Sequence, residues 1–373
     1  MKTSKIFVVA AIALGFMACN KNEDINVPQE EAQATLSVKI SSGTLRALGA
    51  PDDSDPVKNF EVYVFKGQVL EGYKRVEGAM EAKEIEVSAG NATLAVVANA
   101  GGEGLGKAFT LDELKEAVKE GVIEDAGGLL MTSEMKEISI KAGKNLYGYT
   151  KTGDENEISA DPLALVRVPA RVVLQEAKTE FSGTFEGWTL EPQQVFVFNV
   201  RGKSKLFGDN LYMADAPFYS GVDLGSFSGD LGPAASEKHN SLQDEISSFE
   251  ELPELPAYFY TYENEDAAHP VVLTIKGLLK DADGELVKNS PYTDAEGTTY
   301  YSILVNVTKQ GYSYEGDASG GNGKVKRNTE YKLHVTIKRP GKDNPIVIPS
   351  DPATLDVKVV VTPWTVVNQN VTY

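Results

Sequence analysis

Two stretches near opposite ends of the chain are near copies of one another. Ala34-Thr35-Leu36-Ser37-Val38-Lys39-Ile40 and Ala353-Thr354-Leu355-Asp356-Val357-Lys358-Val359 both read A-T-L-x-V-K-(I/V). Apolar and polar side chains alternating in this way mark a strand with one buried face. The first stretch turns Leu36, Val38 and Ile40 to one side. The second turns Leu355, Val357, Val359 and then Val361, with Trp364 just beyond. Strands that offer the same inward row compete for one groove. An incomplete sandwich exposes backbone donors, backbone acceptors and apolar pockets, and an added strand satisfies all three. Burying the first row contributes about 4–9 kcal/mol and the second about 6–12 kcal/mol, before ordering costs. That margin alone does not drive an exchange, because a tethered strand has a far higher effective concentration than another chain's strand. Cutting the tether removes that advantage.

The tether and what precedes it are legible. Residues 1–18 read as a secretory signal: Lys2 and Lys5 form the positive region and Ile6 to Leu14 the apolar one, with Gly15, Met17 and Ala18 leading into Cys19. The apolar region is too short to span a bilayer as a helix. Cys19 is the single cysteine, so no intrachain disulfide forms. It stands at the predicted cut, which resembles a bacterial lipoprotein box whose thiol is lipidated; Phe16 stands where such boxes usually carry Leu. Acyl chains there give a stable anchor, and no later segment is apolar enough to cross a membrane. Asn20 to Gln33 is a polar, acidic tether. After the first copy, Ser41-Ser42-Gly43 breaks the strand and residues 50–56 read as loop. Arg46 and Ala47 therefore fall in exposed chain, where proteases cut.

A chain of 373 residues is long enough for more than one core. Its net charge of −18 repels phosphate and argues against a nucleic-acid partner. Strand patterns recur at Phe60 to Phe65, Ile85 to Val87, Ala92 to Ala98, Leu129 to Thr132 and Ile138 to Ile140. Residues 110–121 read as a helix: Thr110 and Glu113 make a capping box, Leu111, Leu114 and Val118 share a face, and Gly121 stops it. An apolar run from Leu163 to Leu174, interrupted by Pro169, places a junction between regions 47–165 and 166–373. Further strands are expected at 195–200, 257–262, 271–275, 300–307, 331–337 and 355–361, with loops over 202–255. No β-α-β alternation appears, which predicts mainly β structure, as antiparallel sandwiches with one or a few short helices.

Motifs that suggest chemistry weaken on inspection. Gly101 to Lys107 has the G-x-x-x-x-G-K spacing of a phosphate loop, but Ala108 stands where Ser or Thr is needed for magnesium. His239, His269 and His334 have no metal-ligand spacing and no thiol partner. Asp281 to Glu285 begins like a calcium loop and lacks its closing ligands, so Asp283-Gly284 reads as a turn. No cofactor, metal site or catalytic residue is predicted.

Taken together, several stretches resemble the major fimbrillin family of Bacteroidales, the type V pilins. They are the box at Cys19, Arg46-Ala47, Gly127 to Thr132, Ala142 to Asn145, Asp161 to Leu163, Val168 to Arg171 and Leu206 to Gly208. Asp294 to Tyr301, Arg327-Asn328 with Tyr331, and Trp364 with Gln369-Asn370 complete the set. The resemblance covers essentially the whole chain. It implies two transthyretin-like β-sandwich domains, export as an outer-membrane lipoprotein and cleavage after Arg46 by an Arg-specific protease. It also implies polymerisation, residues 353–373 of one subunit entering the groove left by residues 19–46 of another. The expected product is an adhesive cell-surface fimbria whose partners are further copies of this chain and anchor and tip subunits. The alternative is a lipid-anchored surface-binding protein, or an anchor or tip subunit, that never polymerises.

Overall fold

Among the described residues, alternating apolar side chains build the first half of the chain largely from strands. The computed structural model describes residues 32–41, 57–107, 110–123, 128–208, 211–229, 231–232, 236–308, 310–316, 321–348 and 354–363. The early strands are Gln33–Ser41 (β1), Asn59–Lys66 (β2), Val69–Glu77 (β3), Glu81–Ser88 (β4), Gly90–Ala98 (β5), Val118–Glu120 (β6), Met131–Ser133 (β7), Lys136–Ile140 (β8), Gly143–Tyr147 (β9), Asn156–Ser159 (β10) and Leu163–Arg167 (β11). Along one layer β10, β9, β1 and β4 are hydrogen-bonded in that order; along the other run β11, β7, β5, β2 and β3, with β8 also on β5. The end of β1 stitches the layers together, since Ile40 and Ser41 pair with Leu163 and Ala164 of β11. Leu36, Val38, Ile40, Phe60, Val62, Val64, Leu94 and Val96 fill the space between the layers.

The second half repeats the plan. Its strands are Ala170–Thr179 (β12), Thr189–Phe198 (β13), Val200–Arg201 (β14), Lys203–Lys205 (β15), Phe218–Ser220 (β16), Glu237–Lys238 (β17), Gln243–Glu245 (β18), Ala257–Thr261 (β19), Val272–Lys280 (β20), Thr298–Leu304 (β21), Tyr312–Gly316 (β22), Thr329–Ile337 (β23) and Leu355–Pro363 (β24). A five-stranded sheet, β19-β12-β23-β24-β22, packs on a four-stranded one, β18-β13-β20-β21, around a core that includes Val172, Leu174, Val195, Ile275, Ile303, Leu333 and Val359. Both halves are mixed rather than purely antiparallel: β1 with β9, β12 with β23 and β22 with β24 are parallel pairs. Alternation records which face is buried and carries no information about neighbour direction.

One sequence expectation is corrected. The helix runs only from Leu111 to Lys115 (α1), although Thr110 and Glu113 form the predicted capping box. Residues 118–120 are instead β6, paired antiparallel with β15 from the second half. A ladder formed by residues far along the chain has overridden a local preference, which is weak.

The two cores part between Arg167 and Ala170, and four stretches meet there. Val168 N donates to Leu130 O (2.9 Å), Asn328 N to Pro169 O (2.9 Å) and Thr132 Oγ1 to Leu206 O (3.3 Å). The Arg327 guanidinium donates to Leu206 O (3.2 Å), Lys205 O (2.6 Å) and Ser204 Oγ (3.2 Å). It also faces Glu263 at 3.5 Å. Burial pushes the Glu263 carboxyl up and the Arg327 guanidinium down. Burial is the larger influence on both groups, as desolvation of a buried ion pair requires. Leu206 and Phe207 pack with Leu111 and Leu114 against Tyr63 and Phe65 on the outer face of β2, so β2 is buried on both faces.

Candidate strand-exchange site

β1 is an interior strand with two different walls. Antiparallel β4 lies on one side, pairing Leu36 with Ile85, Val38 with Ala82 and Lys39 with Glu81. Parallel β9 lies on the other, pairing Leu36 with Asn145 and Val38 with Tyr147. Leu36 and Val38 are 0% exposed and Ile40 2%. Removing this strand would leave two unpaired edges above an apolar trough.

Polar groups set the register. Asn145 is buried, and its Nδ2 donates to Thr35 O (3.3 Å), Lys141 O (2.7 Å) and Gly143 O (3.1 Å) while its Oδ1 accepts from Lys141 N (2.9 Å). One side chain thereby closes the β8–β9 turn and grips the occupant's backbone. Across the slot β4 bulges: Glu84 adopts φ +55° and donates its amide to Ser37 Oγ at 3.1 Å. Gly148, at φ +88°, passes so close to Lys39 O that an added Cβ would lie 2.8 Å from it, so only glycine fits. Asn145 and Glu84 escaped the sequence reading as site residues. An Asn two residues after a Gly, in the stretch Ala142 to Asn145, is the signal for the first; nothing local signals the second.

β24 occupies a slot built the same way. Antiparallel β23 pairs Leu355 with Ile337, Val357 with Val335, Val359 with Leu333 and Val361 with Tyr331. Parallel β22 pairs Tyr312 with Val357. Leu355, Val357, Val359 and Val361 are buried, and Asp356 and Lys358 face outward. Asp356 forms an ion pair with Lys338. Cys19, Arg46, Ala47 and Trp364 lie outside the described residues.

The decoy motifs have internal explanations. Leu105 N and Gly106 N of the glycine-rich loop donate to the Glu61 carboxylate at 2.7 and 3.1 Å, and Tyr73 OH donates to it at 2.7 Å. The loop cradles an anion, but that anion is a buried side chain of the same fold. A Cβ at Gly104 would lie 2.4 Å from Glu61 Oε2. Asp281 Oδ1 accepts from Asp283 N and Glu285 N, both 3.0 Å, as a turn requires. His334 stands half-exposed beside Glu176 (3.2 Å), and His269 pairs with Asp266 (2.9 Å). Among the described residues no cluster of His, Cys, Asp or Glu is arranged to hold a metal ion, and no helix is long and apolar enough to cross a membrane.

The family model for the major fimbrial subunit protein FimA matches residues 34–167, and that for the FimA4 pilin C-terminal domain matches 169–364. The chain is 34% identical over 391 residues to the major fimbrium subunit FimA type-2 of Porphyromonas gingivalis, covering 100% of both. The chain belongs to the FimA family of major fimbrial subunits. The type-4 FimA of Porphyromonas gingivalis W83 is 32% identical over 396 residues, again covering 100% of each chain. A crystal structure of a fimbrilin from the same strain superposes with a TM-score of 0.80 at 31% identity, covering 91% of this chain and 99% of that one. The family's members are structural fimbrial subunits, not enzymes. The boundary between the two family models falls where the two cores part.

Proposed function

We propose that this chain is a stalk subunit of a cell-surface fimbria. It is exported as a lipoprotein anchored to the outer membrane through Cys19 and cut after Arg46 by an Arg-specific protease. β1 then leaves, and the C-terminal strand of another copy enters the slot between β4 and β9. Anchor and tip subunits complete the fibre, which supports adhesion. One observation carries this reading. β24 matches β1 in sequence pattern and occupies a slot of the same construction, antiparallel on one edge and parallel on the other. By that alignment Leu355, Val357 and Val359 replace Leu36, Val38 and Ile40. Asp356 takes the place of Ser37, where its carboxylate accepts the Glu84 amide, and Lys358 comes opposite Glu81.

A second reading has its own support. With both slots filled from within, the uncut chain is complete as a monomer, as a lipid-anchored surface protein or an anchor subunit would be. The test is to treat purified precursor with an Arg-specific protease and look for filaments by electron microscopy. Wild-type chain should polymerise with Ala47 as its first residue by mass spectrometry, and Arg46→Ala should stay monomeric. Filaments from Arg46→Ala would refute the cleavage step; a mature chain that retains acylated Cys19 would support the anchor.

A further inference from the structure

Strand exchange moves a vacancy as well as filling one. In the uncut chain β1 fills the N-terminal slot and β24 the C-terminal slot. Loss of β1 empties the first, and transfer of β24 into it empties the second. The two vacancies expose similar apolar rows and similar ladder edges, so the bare transfer gains little. A fibre forms only if the C-terminal vacancy is the less unfavourable of the two.

The slots differ in the chain order of their walls. β22 and β23 are consecutive strands that run antiparallel with β24 inserted between them. Consecutive antiparallel strands are natural hairpin partners. β22 is also the edge of its sheet, and among the described strands its ladder is to β24. The N-terminal walls are different. β4 and β9 are separated by β5 through β8, β9 is fixed to β10, and β4 continues directly into β5 of the facing layer. They are held apart.

We propose that β22 is a substitute strand. When β24 is donated, β22 moves sideways by one strand spacing, about 4.8 Å, and closes on β23 as a hairpin. The C-terminal slot heals while the N-terminal slot stays open for a donor, and that asymmetry gives the exchange its direction. An in-register shift brings Tyr312, now paired with Val357, opposite Val335, and Ser313, now paired with Lys358, opposite His334. Tyr312 is half-buried and already packs against the C-terminal core. This inference rests on the strand-exchange reading above.

Cysteine pairs separate the two claims. With β24 in place, Ser313 and His334 stand two strand spacings apart, about 9.6 Å, beyond the roughly 7 Å between Cα atoms that a disulfide spans. Full-length chain carrying Ser313→Cys and His334→Cys should form no internal disulfide as precursor and should form one in most fibre subunits. Peptide mass spectrometry distinguishes it from products of Cys19. Ser313→Cys with Lys332→Cys or with Thr336→Cys covers a slip of two residues in either direction, which keeps the same faces inward. A separate variant, Glu81→Cys with Lys358→Cys, reports donation by cross-linking neighbouring subunits. Fibres with the 81–358 cross-link and none of the three β22–β23 disulfides overturn the closure and leave strand exchange standing. Fibres without the 81–358 cross-link overturn strand exchange, and the closure with it.

Discussion

Asn145 holds the backbone of β1 in the N-terminal slot through Thr35 O; under the proposed exchange the alignment would put Thr354 O in that place. Removing a buried side chain that satisfies several carbonyls leaves those acceptors without a partner. Asn145→Ala should destabilise the N-terminal half by about 1–3 kcal/mol. Urea unfolding would show this as a lower midpoint with unchanged slope, with amide exchange in β12, β20 and β23 unaltered. Other residues show why single-residue chemistry was only partly legible. The capping box at Thr110 and Glu113 is local, so the sequence displays it fully. The glycine-rich loop looks like a phosphate site because its amides do converge on a carboxylate. That carboxylate, Glu61, lies 44 positions from Leu105, where no spacing rule connects them.

Elements with one buried face were the easiest to read. β1 and β24 alternate because a polar face meets solvent while Leu36, Val38, Leu355, Val357 and Val359 meet a core. β2 breaks the pattern because Leu206 and Phe207 cover its second face, and the helix shortens because β15 captures residues 118–120. Both departures come from one distant segment that crosses between the halves. Strand direction was illegible throughout, since parallel and antiparallel neighbours bury the same row. If the two copies are interchangeable, the C-terminal sequence should serve in the first slot. Writing it there requires only Ser37→Asp and Ile40→Val. Ile→Val removes one buried methylene, about 0.5–1.5 kcal/mol, and Asp keeps an acceptor for the Glu84 amide. The double variant should fold as a monomer with stability lowered by no more than about 2 kcal/mol, measured by denaturant unfolding of the uncut precursor. Failure to fold would mean that the N-terminal slot discriminates between the two strands.

At the scale of the molecule, one route joins the two slots. β1 pairs with β11, β11 leads through Val168 and Pro169 to the Asn328 amide, and Asn328 precedes β23, which walls the β24 slot. The Arg327 clasp lies on that route, and parts of four of the stretches that carry the family resemblance, Gly127 to Thr132, Val168 to Arg171, Leu206 to Gly208 and Arg327-Asn328, converge around it. In a fibre, load entering through the N-terminal slot would pass through this junction to the donated strand. Electron cryo-microscopy of fibres assembled from processed chain tests the central claim most directly. The predicted result is residues 354–363 of one subunit hydrogen-bonded between residues 81–88 and 143–147 of the next, with residues 33–41 gone. Fibres in which residues 354–363 remain between residues 312–316 and 329–337 of their own subunit would contradict it.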